Sequence, residues 1–339
     1  MNYSHRFFLY GPVGLFAILM ACVMGYWWIA SSAFSHRLDA INGHEVAPGI
    51  RVGFAKKTIG GFPFRLDSEL DGLRVEIATS HGPTVWTAEH FALHSLTYGR
   101  EQFILEAAGK QLVSWHDDAG APHRYAFLPG TLRASSISDG QGLSRFDLDL
   151  VDDDSDDVSA SRLQLHLRRD PKLDAFDVFV SADGVHIARA LKPAFGPDLK
   201  SLSIDALVSP GSSFERLLSG RSDWRPAVED WHARDGGLLI KNATMRWGAL
   251  DIAGQGALAV DDAHRPLGAL QLSISNWQKL VQEAQRKGWL AGANSGLAAG
   301  FFAFAGDPKG DAPLSATLTF KDGVVYVGPI PADLLSPLY

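Results

Sequence analysis

Side chains able to bind metal or move protons gather in three places. Asp147, Asp149, Asp152, Asp153, Asp154, Asp156 and Asp157 crowd one short stretch, with Asp152, Asp154 and Asp156 at the first, third and fifth positions of an EF-hand loop. The glycine that such a loop needs would fall on Asp157 and the bidentate glutamate on Leu163, so the match fails. The run reads instead as a solvated acidic hairpin tip. His90 and His94 have the spacing of a zinc pair on a helix, but the sequence around them reads as a strand and lacks the glutamate of H-E-x-x-H. His116-Asp117-Asp118, in a turn with Gly120 and Pro122, reads as surface. Gly254-Gln255-Gly256-Ala257-Leu258-Ala259 fits a dinucleotide fingerprint in letters only. It lies in alternating sequence and runs into Asp261-Asp262, so no helix N-terminus is offered to a pyrophosphate. There is no G-x-S-x-G elbow, no phosphate loop and no carboxylate pair singled out by context. Nothing groups a nucleophile with a base and an orienting residue, so the chain is read as non-enzymatic, with no metal and no cofactor expected.

Aromatic residues are the other candidates. Gly60-Gly61-Phe62-Pro63-Phe64-Arg65 is the most distinctive short run. Glycines beside a proline between two strands predict a tight bend or bulge that puts Phe62 and Phe64 on one face. They form either a packed strand-entry corner or a hydrophobic lip at the mouth of a groove. Phe301, Phe302 and Phe304, among small residues in a candidate helix over 294–305, could serve such a groove as a lid or plug.

The elements that must position these residues begin with a membrane segment. Residues 7–30, FFLYGPVGLFAILMACVMGYWWIA, carry no charge. As a helix they would reach about 36 Å, more than the ~30 Å hydrocarbon core of a bilayer. Tyr26, Trp27 and Trp28 fall at the far end, where amphipathic rings favour the headgroup layer. The expected organisation is a cytoplasmic tail over 1–6, a transmembrane signal-anchor over 7–30 and an exported mainly-β domain over 31–339. Two rival fates are cleavage at the weak small-residue site over 30–33 and lipidation of Cys22 in Leu19-Met20-Ala21-Cys22. The length of the span and the membrane-like sequence after Cys22 favour the uncleaved anchor. Cys22 is the sole cysteine, so the exported part has no disulfide, which suits a bacterial periplasm when the core is large.

Beyond the anchor, short alternating runs broken by Gly, Asp, Asn and Pro predict antiparallel strands. Residues 162–168, 174–180, 270–275, 316–320 and 324–327 are the clearest, with 50–54, 62–70 and 73–77 before them. Helices are few: one from Asn276 to about 287, one from Ser222 or Asp223 through Trp231 to Gly236, and the segment over 294–305. Three short helices cannot cover the apolar face of so many strands. That face must meet a second sheet or hold a ligand such as acyl chains. The 31 Lys plus Arg against 38 Asp plus Glu, over 339 residues, leave a net charge of −7 and no strongly basic segment, which argues against a nucleic-acid partner.

Several stretches carry a family resemblance: Gly61-Phe62-Pro63-Phe64-Arg65; the run over 250–258 leading to Pro266-Leu267-Gly268; and the run over 318–323 with Val327-Gly328-Pro329-Ile330-Pro331. With the single amino-terminal anchor, the chain resembles an uncharacterised membrane-anchored family of alphaproteobacteria, the domain of unknown function numbered twenty-one twenty-five. More distantly, the cadence over 256–274 is similar to the AsmA-like group. That resemblance implies a periplasmic β-rich protein with a role in lipid transport or outer-membrane assembly, and it supplies no catalytic residues. The expectation is therefore a single-pass inner-membrane protein with one mainly-β periplasmic domain, a large antiparallel sheet, curved or elongated, with a few short helices. It would bind or hand on lipid or another apolar envelope component; the alternative is a non-catalytic scaffold or accessory subunit of an envelope assembly.

Overall fold

A computed structural model describes residues 5–79, 81–97, 102–117, 119–140, 142–155, 157–193, 195–222, 224–279, 282 and 312–338. Within them the chain is mainly β, with every pairing between its strands antiparallel and few helices, the fold class expected from the sequence. It forms two compact units, Met1–Ala126 and Phe127–Tyr339.

The first unit opens with α1 (His5–Ile41), an apolar helix exposed over its early turns. Its segment Tyr10–Ile41 is long and apolar enough to cross a membrane. The strands β1 (His44–Ala47), β2 (Ile50–Gly53), β3 (Lys56–Gly60), β4 (Arg65–Ile77), β5 (Thr84–Leu96), β6 (Gln102–His116) and β7 (Pro122–Phe127) follow. β4 is the spine. β3 pairs with its first half and β2 with its second, one after the other along a single edge, and β5 pairs with the other edge over the full length. Leu66, Ser68, Leu70 and Leu73 of β4 are buried, with Val85 and Ala88 of β5 and Ala107 and Gln111 of β6. Gln111 belongs there because β6 is bulged: Ala88 and His90 pair with Gln111 and Ala108, and Gly109 takes a positive φ of 74°. The bulge frees backbone groups, and side chains satisfy them. The Gln111 amide donates to the Ala108 and Gly109 carbonyls, both at 3.3 Å, its oxygen accepts the Trp86 indole N–H at 3.0 Å, and Glu89 accepts the Lys110 N–H at 2.9 Å.

The last turns of α1 run beside β3. Trp27 donates its indole N–H to the Arg65 carbonyl at 2.9 Å, Lys57 reaches the Ser35 carbonyl at 2.7 Å and Asp39 at 2.6 Å, and the Asn42 amide brackets the Phe54 backbone. From 27 to 42 a helix rises about 22 Å, close to the length of the strand segment opposite it. The helix thus covers a flank that would otherwise leave strand edge groups open.

The second unit is an up-and-down meander: β8 (Pro129–Asp139), β9 (Gly142–Asp153), β10 (Val158–Arg169), β11 (Phe176–Ile187), β12 (Asp198–Ser209), β13 (Gly237–Trp247), β14 (Leu250–Val260), β15 (Pro266–Ser275), β16 (Leu314–Lys321), β17 (Val324–Val327) and β18 (Ile330–Leu334). Each strand pairs with the next in the chain. Between β12 and β13 come a short 3-10 turn, α2 (Glu215–Leu218) and α3 (Trp224–Ala233). The expected helix from 222 to 236 is α3. Trp231 pins it, buried, with its indole N–H donated to the Ser209 carbonyl at 2.8 Å. The expected helix after Asn276 begins as a turn, Lys279 N–H to the Asn276 carbonyl at 3.1 Å, and most of its remainder falls outside the described residues.

Candidate functional site

The acidic cluster is dispersed by the pleat. Asp147 and Asp149 lie within β9, on one face, Asp147 opposite His166 of β10 and Asp149 opposite Arg133 of β8 and diagonal to Arg162 of β10. Arg145 donates to Asp147 at 2.6 Å, His166 Nδ1 lies 2.6 Å from the same carboxylate, and the Ser135 hydroxyl is at 3.2 Å. Arg162 grips Asp149 with two bonds, at 2.7 and 2.9 Å. Partial burial pushes the Asp147 carboxyl up, but the hydrogen bonds from Arg145 and His166 outweigh it and hold the group below the usual carboxylate range. The Arg162 hydrogen bond does the same for Asp149. Asp153 turns inward and accepts the Leu128 N–H at 3.2 Å and the Ser155 hydroxyl at 2.9 Å.

His90 and His94 likewise face carboxylates across the strand pair. His90 sits 2.9 Å from Asp71 and His94 2.7 Å from Asp67. Four residues apart on a strand, the histidines are about 13 Å distant, too far to share one ion. His123 meets Asp117 at 2.9 Å and stacks on Trp115. These titratable groups serve as cross-strand ladders on the polar faces of the sheets. No group of three or more candidate metal ligands occurs among the described residues.

The opposite face of the meander is where the described residues concentrate apolar side chains. Read across the register, Ala134, Leu148, Leu165, Val180, Ile204, Ala243, Gly254, Leu272 and Ala316 form one row from β8 to β16. A second row runs Leu132, Leu150, Leu163, Ala182, Leu202, Met245, Ile252, Ile274 and Leu314. A third runs from Phe146 through Leu167, Val178, Ala206, Ile240, Gly256, Leu270 and Leu318 to Val327. No position in the three rows so bounded is polar; the β8 position opposite Phe146, one strand beyond the start of the third row, is Ser136. At about 4.8 Å per strand each row is about 38 Å long, and successive rows lie about 7 Å apart. Leu314, Ile274 and the alanines at 134, 182, 206 and 316 are buried, but Leu148, Leu165, Val180, Ile204 and Leu272 are half-buried and Leu163 is 36% exposed. On the reverse side the same strands carry Ser203, Thr244, Ser273 and Ser315. There a shallow depression of about 710 Å³ is lined by Lys200, Arg246, Asp251, Asn276 and Lys279 among others.

Glycines hold two of the strands close. A Cβ on Gly256 would lie 2.1 Å from the Ala269 carbonyl oxygen, and one on Gly268 would lie 2.2 Å from that of Ala257. Both residues have φ in the region that favours glycine, 156° and 135°. This is the physical content of the glycine spacing that resembled a nucleotide fingerprint: it lets β14 and β15 approach, and no helix follows.

Of the aromatic candidates, Phe62 and Phe64 lie in the first unit, in the turn between β3 and β4. The strand expected from 62 starts only at Arg65, because Gly61 (φ 94°) closes a turn in which the Arg65 N–H bonds to the Gly61 carbonyl at 2.9 Å. A Cβ on Gly61 would meet the Arg65 oxygen at 2.7 Å. Phe62 and Phe64 are 48% and 54% exposed, and the Phe62 ring meets Trp27 edge-on at 5.7 Å between centroids. Phe301, Phe302 and Phe304 fall outside the described residues.

A family model described as "Uncharacterized protein conserved in bacteria (DUF2125)" matches residues 27–334. The chain belongs to that family. The DUF2125 match opens at Trp27, the residue whose indole holds Arg65, and closes at Leu334, the last residue of β18. It therefore takes in the docked end of α1, the Phe62 turn and the whole meander, and omits most of the apolar helix. No curated protein and no solved structure matches the chain.

Proposed function

We propose that this protein is held in the inner membrane by α1, with residues 31–339 in the periplasm, and that the apolar face of the meander binds the acyl chains of lipid or another apolar envelope component and hands it on. The observation that carries the reading is the set of three uninterrupted apolar rows, much of it half-buried. A water-facing sheet surface alternates with polar residues, and contiguous apolar area of this extent marks a binding surface. A strip about 38 Å long is ample for an extended acyl chain, since two opposed leaflets together fill only about 30 Å. The likeness of the 256–274 cadence to the AsmA-like group points the same way. The charge-free run over 7–30 within α1, with its Tyr26–Trp28 belt, supports the anchoring.

The test uses full-length protein in detergent with a phospholipid carrying a photoactivatable group on its acyl chain, adducts being mapped by peptide mass spectrometry. Adducts are expected on β10, β12 and β15, at or beside Leu165, Ile204 and Leu272. Adducts confined to α1 would overturn the reading and favour a scaffold whose sheet face is closed. A carboxy-terminal alkaline phosphatase fusion, active only outside the cytoplasm, tests the orientation.

A further inference from the structure

We propose that the turn over 61–64, together with the end of β5 at Leu96, is a membrane-dipping tip. It would insert Phe62, Phe64 and Leu96 into the headgroup boundary of the leaflet into which α1 emerges. The inference rests on the reading of α1 as a membrane span and adds a second contact between the protein and the bilayer.

The level of the tip follows from α1 itself. Trp27 and Tyr26 lie about 4.5 and 6 Å along the helix from Ala30, where the apolar run ends. Both residues bond directly to the tip: the Trp27 indole to the Arg65 carbonyl at 2.9 Å, and the Tyr26 hydroxyl to the Thr97 carbonyl at 2.6 Å. A helix that crosses a bilayer places such rings at the interface, so whatever they hold lies at that depth.

The tip also has the composition and the hydrogen bonding that this depth demands. Phe62, Phe64 and Leu96 are 48%, 54% and 45% exposed. Bare backbone polar groups are costly at the edge of the hydrocarbon, and here the Phe64 carbonyl and the two ends of the turn are bonded. The Phe64 carbonyl accepts the Thr97 N–H at 3.0 Å and the Thr97 hydroxyl at 3.1 Å, and the Arg65 N–H bonds to Gly61. Pro63 has no N–H to satisfy. The first charge behind the aromatics, Arg65, is paired at once with Asp67 at 2.6 Å, and Asp67 is shared with His94. That ion pair lies one residue back from the exposed rings, where it can stay in the headgroup layer.

Full-length protein carrying Cys22→Ser is labelled with an environment-sensitive fluorophore at Phe64→Cys or Leu96→Cys and reconstituted in liposomes. The liposomes hold nitroxide lipids bearing the quencher either near the headgroup or at mid-chain. Labels at 64 and 96 are expected to shift to the blue and to be quenched most by the shallow nitroxide. A label at Ile77→Cys, the far end of β4, should be unaffected, and one at Phe16→Cys should be quenched most by the deep nitroxide. Deep quenching at 16 with none at 64 or 96 overturns the dipping tip and leaves the span intact. No quenching at 16 overturns the span and the tip together.

Discussion

The two units bury apolar sheet faces in different ways. In the first, the face around Leu66, Ser68, Leu70 and Leu73 is closed, and it admits a fully buried Gln111 because every group that Gln111 offers has a partner, on the β6 bulge or on Trp86 of β5, although the Ser68 hydroxyl buried on the same face has none. In the second, three rows of positions across the meander contain no polar side chain, and many of them are only half-buried. A face closed by the protein's own packing can carry a satisfied polar network. On the proposed reading, a face that takes an apolar occupant cannot, since a donor there would lose water without gaining a partner.

Four changes test that contrast, from the largest expected effect to the smallest. Gly256→Ala drives a methyl into the Ala269 carbonyl and should separate β14 from β15. A loss of about 3 kcal/mol is expected, read as a fall in Tm of about 6 to 12 °C in thermal unfolding. Gln111→Leu keeps the volume of the closed face but strands the Trp86 N–H and the bulge carbonyls. It should cost about 1 to 3 kcal/mol in urea unfolding; a neutral result would mean that the closed face does not depend on its network. Leu165→Gln, on the open face, should cost less than about 1.5 kcal/mol and yet cut the yield of photolipid adducts on β10 and β11. If stability falls and adducts do not, the face is a packed core and the contrast fails.

The smallest effect concerns the ladders. Asp147, Asp149 and Asp67 all have carboxyls held below their ordinary value in the folded state. Such groups favour the folded form above the unfolded carboxylate pKa, near pH 4, and that stability is lost as pH falls through their lowered folded values. Urea midpoints should therefore drop on acidification below about pH 4. Asp147→Asn should flatten the drop while leaving the photolipid adducts unchanged.

Much of this architecture is legible in one dimension. The alternation in 162–168 marks β10, the uncharged run over 7–30 marks the exposed part of α1, and Trp224, Val228 and Trp231 mark α3. What is not legible depends on pairing. The aspartates at 147 and 149 look like a loop cluster until the pleat puts them on one face, with the next strand bringing His166 opposite Asp147 and Arg162 within reach of Asp149. His90 and His94 look like a ligand pair until Asp71 and Asp67, spaced alike, arrive across the sheet. The three apolar rows exist only in the register, since each strand alone reads as an ordinary amphipathic strand. No composition shift marks the division after Ala126. The continuation of α1 to Ile41, through the polar stretch from Ser31, depends on contacts made by Ser35, Leu38 and Asp39 rather than on hydropathy.

The meander has one more consequence. Because β8 to β18 form their backbone ladders only with chain neighbours within their unit, a hairpin can be added or removed without rewiring any other ladder. Every such step would lengthen or shorten the rows by about 10 Å, two strand spacings, at little topological cost. Contacts that are local in sequence also form quickly and in order. The length of the apolar strip is thus an evolvable dimension, open to adjustment by gene segments of some two dozen codons while the rest of the fold stays as it is.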